Sequence, residues 1–266
     1  RNADPYHQFS SEWPMMIVFS IGNQGPELNT ITSPKEAKNI VTVGASGSLR
    51  AGNPNEIISI SSGGPCLDGR IAPTLCAPGD VVYSAWPIDT HTVTTGSSAA
   101  AAHITGASAL LIEWWKERLH WIPSPALMKA ILILSTIPLN SSIPDPAQGW
   151  GRFAASLYQP VFPAAHVLDQ TIVLTTDTPE WIGRVIPTDG EIDIVLSYTD
   201  PPAAPGANPA LVNNLDMMLT LASGDIYYGN SLDGLYSVPD GNPDSINNTE
   251  RIRLPYLSEP AFLSIH

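Results

Sequence analysis

The sequence is poor in charge, in cysteine and in long apolar runs. Lys and Arg number 12 against 25 Asp and Glu, for a net charge of -13. Such an acid surplus repels phosphate backbones and anionic headgroups, which excludes nucleic acid and an anionic membrane surface as partners. No uninterrupted apolar stretch reaches the roughly 18 residues of a membrane-spanning helix. The longest candidate, 99–115, is interrupted by His103 and Glu113. Only two cysteines occur, Cys66 and Cys76. They read either as one disulfide of a secreted chain or as two buried free thiols. The chain opens at Arg1 with no methionine and no signal-like apolar stretch, which reads as a chain whose upstream part has been removed.

What is present suffices for a core. Hydrophobic residues make up 43% of 266 positions, so a folded chain of one large or two smaller domains is expected. The 26 prolines and 20 glycines predict many loops and few long helices. In the first half, strand-like and helix-like segments alternate. Met15 to Ile21 and Asn39 to Ala45 are continuous apolar runs of the kind that form strands buried on both faces, and Asp80 to Ala85 is a third strand candidate. Helices are expected from Ser97 to about Leu119 and from Ser124 to about Ser135, the second opening on a serine cap followed by proline. This is an α/β pattern with a mainly parallel sheet.

Beyond about Tyr158 helical periodicity disappears. Thr171 to Thr176, Glu191 to Tyr198, Leu215 to Leu221 and Glu250 to Tyr256 read as strands, and Ser223-Gly224-Asp225 as a hairpin turn. An antiparallel β-sandwich is expected there, giving two domains, 1–158 and 159–266, with the boundary between Gly151 and Ala165.

The chemistry-bearing segments begin with Gly96-Ser97-Ser98, followed by four alanines and His103. Taken alone, a serine here caps the helix. Phe19-Ser20-Ile21-Gly22-Asn23-Gln24-Gly25-Pro26 closes a buried strand. Ile60-Ser61-Ser62-Gly63-Gly64-Pro65 is followed by Asp68-Gly69-Arg70 and Ala77-Pro78-Gly79. Gln148-Gly149-Trp150-Gly151-Arg152 comes last. In this order the segments resemble the subtilisin-like serine proteases, the subtilases, whose motifs are GN-x-GP, FSSRGP with DGR and APG, GTSMA-x-PH and QGWGR. Ser197-Tyr198-Thr199-Asp200-Pro201-Pro202, Leu211-Val212-Asn213-Asn214-Leu215-Asp216 and Asn247-Asn248-Thr249-Glu250 look like W-S-D-x-P, LVNDLD and NNVE of the C-terminal β-barrel or jelly-roll domain of certain alkaline subtilases.

The resemblance implies that Ser98 is the nucleophile of an acyl-enzyme mechanism. It implies that Asn23 donates to the oxyanion, and that Ser20, Ile21 and Gly22 line the pocket for the substrate side chain. Residue chemistry agrees. A serine in the first turn of a helix lies where unpaired N–H groups and the positive dipole end converge. For Asn23 the plainer role is a turn residue, since Gly22-Asn23-Gln24-Gly25 is turn-rich. His103, five residues past Ser98, projects from another helix face and is a poor base.

The pattern also has a gap. A subtilase needs an Asp and a His ahead of the asparagine and serine. The D-x-G and HGTH motifs are absent, and Asp4 and His7 lack the flanking glycines. The chain therefore reads as the C-terminal portion of a peptidase, inactive alone, whose partner is the N-terminal portion carrying Asp and His and whose substrate is a peptide or protein. The chemistry needs no cofactor. Asp225, Asp233, Asp240, Asp244 and Glu250, with Asn242, Asn247 and Asn248, suggest either a structural Ca2+ site or a solvated acidic loop. Asn140 and Asn247 head N-glycosylation sequons, consistent with a secreted protein. Two other readings are a pseudoprotease fragment binding peptides and a carbohydrate-binding sandwich presenting Tyr227, Tyr228 and Tyr236.

Overall fold

A computed structural model describes residues 15–157 and 165–266 of the chain. Its first part contains β1 (Val18–Ser20), β2 (Val41–Ser46), β3 (Leu75–Pro78), β4 (Val82–Trp86), β5 (Thr90–Thr94), α1 (Ser97–Leu119), α2 (Pro125–Leu134), β6 (Thr136–Ile137) and β7 (Arg152–Phe153). The strands β1, β2, β3 and β7 run parallel in that order, with β6 antiparallel at the edge. Every residue of β2 is buried, as expected of a strand with neighbours on both edges and cover on both faces.

Helix α1 covers this sheet. Its buried residues Ala100, Ile104, Ser108, Leu111 and Trp115 recur every three or four positions, and the apolar four share one core with Val41, Val43, Leu75 and Ala77. The approach is close because residue 79 is glycine: a Cβ there would lie 2.7 Å from Ala45 Cβ and 2.7 Å from the Gly96 carbonyl oxygen. Helix α2 starts as expected, with Ser124 Oγ accepting from Leu127 N–H at 3.1 Å and Pro125 in the first turn. The carboxylate of Asp169 accepts from Ser124 N–H and Oγ–H, tying the later chain to this helix start.

Two sequence expectations are corrected, and one open alternative is decided. Asp80 to Ala85 is not a strand of the parallel sheet: that place is taken by Leu75–Pro78, and β4 pairs only with β5 in an exposed two-stranded hairpin. Thr171 to Thr176 forms no strand; a turn closed by Thr175 and Thr178 interrupts it. Cys66 and Cys76 are free thiols, not a disulfide. Cys76 lies inside β3, between β2 and β7, whereas Cys66 packs in a loop cluster with Ile21 and Ala72. Burial pushes the Cys66 thiol up to about 11, and that of Cys76 is raised further.

The later part comprises β8 (Trp181–Val185), β9 (Ile192–Ser197), β10 (Met217–Leu221), β11 (Ile226–Asp233), β12 (Tyr236–Pro239), β13 (Thr249–Leu254) and β14 (Ala261–Ile265). An antiparallel sheet of order β12-β11-β10-β14-β8 faces the pair β9–β13. Met217, Leu219 and Ala261 of the first share a core with Ile252, Leu254, Ile192 and Ile194 of the second. Residues 158–164, where the expected boundary falls, and Asp4 and His7 lie outside the described residues.

The two parts are joined through the loop before β2. The Lys38 ammonium pairs with the fully buried Asp200 and donates to the carbonyls of Pro201 and Ala210 at 2.7 Å. Asp200 also accepts from Val212 N–H at 2.9 Å and Asn213 N–H at 2.8 Å. Asn39 exchanges hydrogen bonds with the Asp200 backbone and receives one from Asn248. Trp150, 1% exposed, carries the Arg251 guanidinium over its ring at 5.5 Å. The late sequence motifs and the QGWGR segment thus meet in one junction.

Candidate active site

Helix α1 begins without a capping side chain of its own. The residue before it, Gly96, has φ +147°, a conformation that glycine adopts freely. The cap comes from a distant loop: Asn23 Oδ1 accepts from Ser97 N–H at 2.9 Å. The Ser97 hydroxyl lies 2.8 Å from the same oxygen, 3.0 Å from the Gly22 carbonyl and 3.1 Å from Gly22 N–H. Its single proton serves one of the two carbonyl oxygens, while Gly22 N–H donates to its lone pair. Ser97 is 1% exposed, so its hydroxyl is fully committed.

This arrangement fixes how Asn23 points. With Oδ1 held by Ser97, the amide Nδ2 is the free end, and it lies beside Gly96, where a Cβ would approach it to 2.9 Å. Asn23 and Ser98 are both exposed. Ser98 occupies the first turn of a 23-residue helix, where backbone N–H groups have no intrahelical acceptor and the dipole is positive. Among the described residues its hydroxyl has no hydrogen-bond partner. An exposed hydroxyl, an unpaired N–H and an oriented amide donor therefore sit at one helix end. That set can attack a carbonyl and stabilise the resulting oxyanion, but among the described residues no base is hydrogen-bonded to Ser98.

The other residues singled out in the sequence fall as follows. Ser20 ends β1, and Gly22 lies beside Ser97. Ile21 is fully buried with Cys66 and Ala72, so its side chain turns away from solvent. His103 is exposed, with Nδ1 3.1 Å from the Ala99 carbonyl of its own helix, and does not face Ser98. Asn140 is exposed. Asn247 is corrected as a glycan acceptor: it is buried, its Oδ1 accepting from Ile71 N–H and its Nδ2 donating to Asp244. Among the acids, Glu250 Oε1 is buried with no hydrogen-bond partner among the described residues. Asp244 is used within its own loop, by the N–H groups of Ile246 and Asn247 and the amides of Asn230 and Asn247. Among the described residues no three His, Cys, Asp or Glu side chains gather to hold a metal. Tyr227 packs on the sandwich core and Tyr236 lies under Arg253, so they form no exposed aromatic platform.

Sequence reasoning missed two serines. Ser97 orients Asn23, and Ser62 Oγ accepts from Gln24 N–H at 3.0 Å while its own N–H donates to Gly22 O. Both stand in motifs quoted above, but nothing in a serine's neighbours in sequence reveals a partner dozens of residues away.

Comparison with known proteins gives a consistent picture. A family profile described as the subtilase family, Peptidase_S8, matches residues 2–151. The serine protease/ABC transporter B family protein tagA of Dictyostelium discoideum is 30% identical over 248 residues, covering 74% of this chain and 14% of its own length. Pyrolysin of Pyrococcus furiosus is 31% identical over 150 residues, covering 47% and 11%. Subtilisin DY of Bacillus licheniformis is 36% identical over 100 residues, covering 37% and 32%. The chain thus spans less than a third of the length of each of these relatives. A crystal structure of a lanthipeptide protease aligns with TM-score 0.50 at 21% identity, covering 59% of this chain and 54% of that one, a likeness of fold alone.

Proposed function

We propose that this chain, which belongs to the subtilase family, supplies the nucleophile-bearing portion of a secreted serine endopeptidase. Ser98 Oγ attacks the carbonyl of a peptide bond. The oxyanion is held by Ser98 N–H and Asn23 Nδ2. Collapse expels the amine and leaves an acyl-enzyme, which water hydrolyses. Side chains carry this chemistry without a cofactor. The observation behind the reading is the Asn23 amide, turned by Ser97 so that its donor end is free beside the exposed Ser98.

The Asp and His that activate the serine come from a segment outside these 266 residues, so the chain alone is inactive. Residues 1–158 form the portion of the catalytic domain present here, and 159–266 a second domain, a reduced jelly roll whose motifs clasp the first. Ser20 and the backbone of Ile21 and Gly22 form the edge against which the substrate side chain lies. Secretion is supported by the exposed sequon at Asn140; among the described residues no helix is long and apolar enough to cross a membrane.

The test is complementation. The chain combined with an upstream segment bearing D-x-G and HGTH motifs should hydrolyse casein, and Ser98→Ala should abolish it. Hydrolysis that survives Ser98→Ala, or a complete protein that never cleaves, overturns the reading in favour of a pseudoprotease.

A further inference from the structure

The bare face of Gly22 is covered by a cation. A Cβ built on Gly22 would meet Ser62 Oγ at 2.8 Å and Lys35 Nζ at 3.1 Å. Gly22 has φ +119°, precedes Asn23 and is hydrogen-bonded to Ser97 through both its N–H and its carbonyl. A substrate carbonyl lodged between Ser98 Oγ and Asn23 Nδ2 carries its own side chain on the adjoining Cα. The Gly22 edge, with Lys35 over it, is therefore within reach of that side chain.

The Lys35 ammonium has no carboxylate partner among the described residues. Its hydrogen bond goes to a neutral hydroxyl, Thr32 Oγ1, at 3.3 Å. Lys38, Arg70, Arg251 and Arg253 are each paired with Asp or Glu. In a chain where acids outnumber bases 25 to 12, a half-buried lysine left without one is a place where an incoming carboxylate gains most. Hydroxyls from Thr32 and Ser62 stand close to it, and the side chain of Ile21 is turned inward.

Resting on the peptidase reading, we propose that Lys35 is a specificity-determining residue and that the enzyme cleaves after acidic residues. The carboxylate of the residue contributing the scissile carbonyl would pair with Lys35 Nζ across Gly22. Thr32 and Ser62 would supply neutral hydrogen bonds at the same wall.

The experiment uses the chain completed by its upstream Asp- and His-bearing segment. Peptides identical except for Glu, Gln, Phe or Arg before the scissile bond are compared by kcat/KM, alongside fluorophosphonate labelling of Ser98. The wild type should favour Glu over its isostere Gln on the order of tenfold. That ratio should fall to about one in Lys35→Gln, and Lys35→Glu should favour Arg over Gln. A Glu-to-Gln ratio near one in the wild type, or one retained in Lys35→Gln, overturns the proposal while Ser98 still labels. No labelling and no cleavage of any peptide overturns the peptidase reading itself, and this inference with it.

Discussion

Asn23 and Ser97, 74 positions apart, lock one another: a single amide oxygen caps the first turn of α1 and lies within hydrogen-bonding distance of the Ser97 hydroxyl. The same two contacts leave the amide nitrogen free beside Gly96, at the helix end that carries Ser98. A structural cap and the oxyanion donor of the proposed mechanism are thereby opposite ends of one side chain.

Asn23→Ala removes both. In the completed enzyme kcat should fall by about 100- to 1000-fold, the effect of deleting one oxyanion donor. Thermal unfolding should register a loss of about 1 kcal/mol from the missing cap.

Ser97→Ala keeps the donor but loosens its orientation. It should lower kcat by about tenfold, less than Asn23→Ala, and the double variant should lose no more than Asn23→Ala alone. Steady-state kinetics on the four proteins decides this. Additive losses would mean that Ser97 acts other than through Asn23.

The Lys38–Asp200 pair is buried and supplies hydrogen bonds on both sides of the junction. Breaking it with Lys38→Met leaves a buried uncompensated carboxylate, and urea unfolding should show a loss of about 3–5 kcal/mol. Asp200→Asn added to Lys38→Met should recover part of that loss.

Glu250 makes stability depend on pH. Burial raises its carboxyl to about 9, with Asp244 and Asp216 adding repulsion, against a usual value of 4.5. The folded state therefore holds a proton that the unfolded chain has released. The stabilisation is complete below about pH 4.5 and is lost as pH rises through about 9. Urea midpoints should fall between pH 5 and 9, and Glu250→Gln should flatten that slope and be the more stable protein at pH 8.

Much of this architecture is legible in the chain. The α1 span, the Ser124 cap and the buried strands near residues 18–20 and 41–46 follow from apolar runs and helix-start chemistry, which are local properties. The third parallel strand was hidden because Leu75–Pro78 is only four residues long and ends in proline, while the apolar Val82 and Tyr83 beside it belong to a two-stranded hairpin. The cysteine pairing was open in sequence because a separation of ten positions does not say whether two thiols face each other. In the site, Ser98 and Asn23 stood out through their motifs. Ser97 and Lys35 did not, since their roles depend on contacts with the Gly22–Asn23 turn that folding alone creates.

In the proposed mechanism Ser98, and not its neighbour Ser97, is the nucleophile. Peptide mapping of the completed enzyme after treatment with a fluorophosphonate tests it most directly. The account predicts a single phosphonylated serine at Ser98, absent in Ser98→Ala. An adduct on Ser97, or none on either serine, would contradict it.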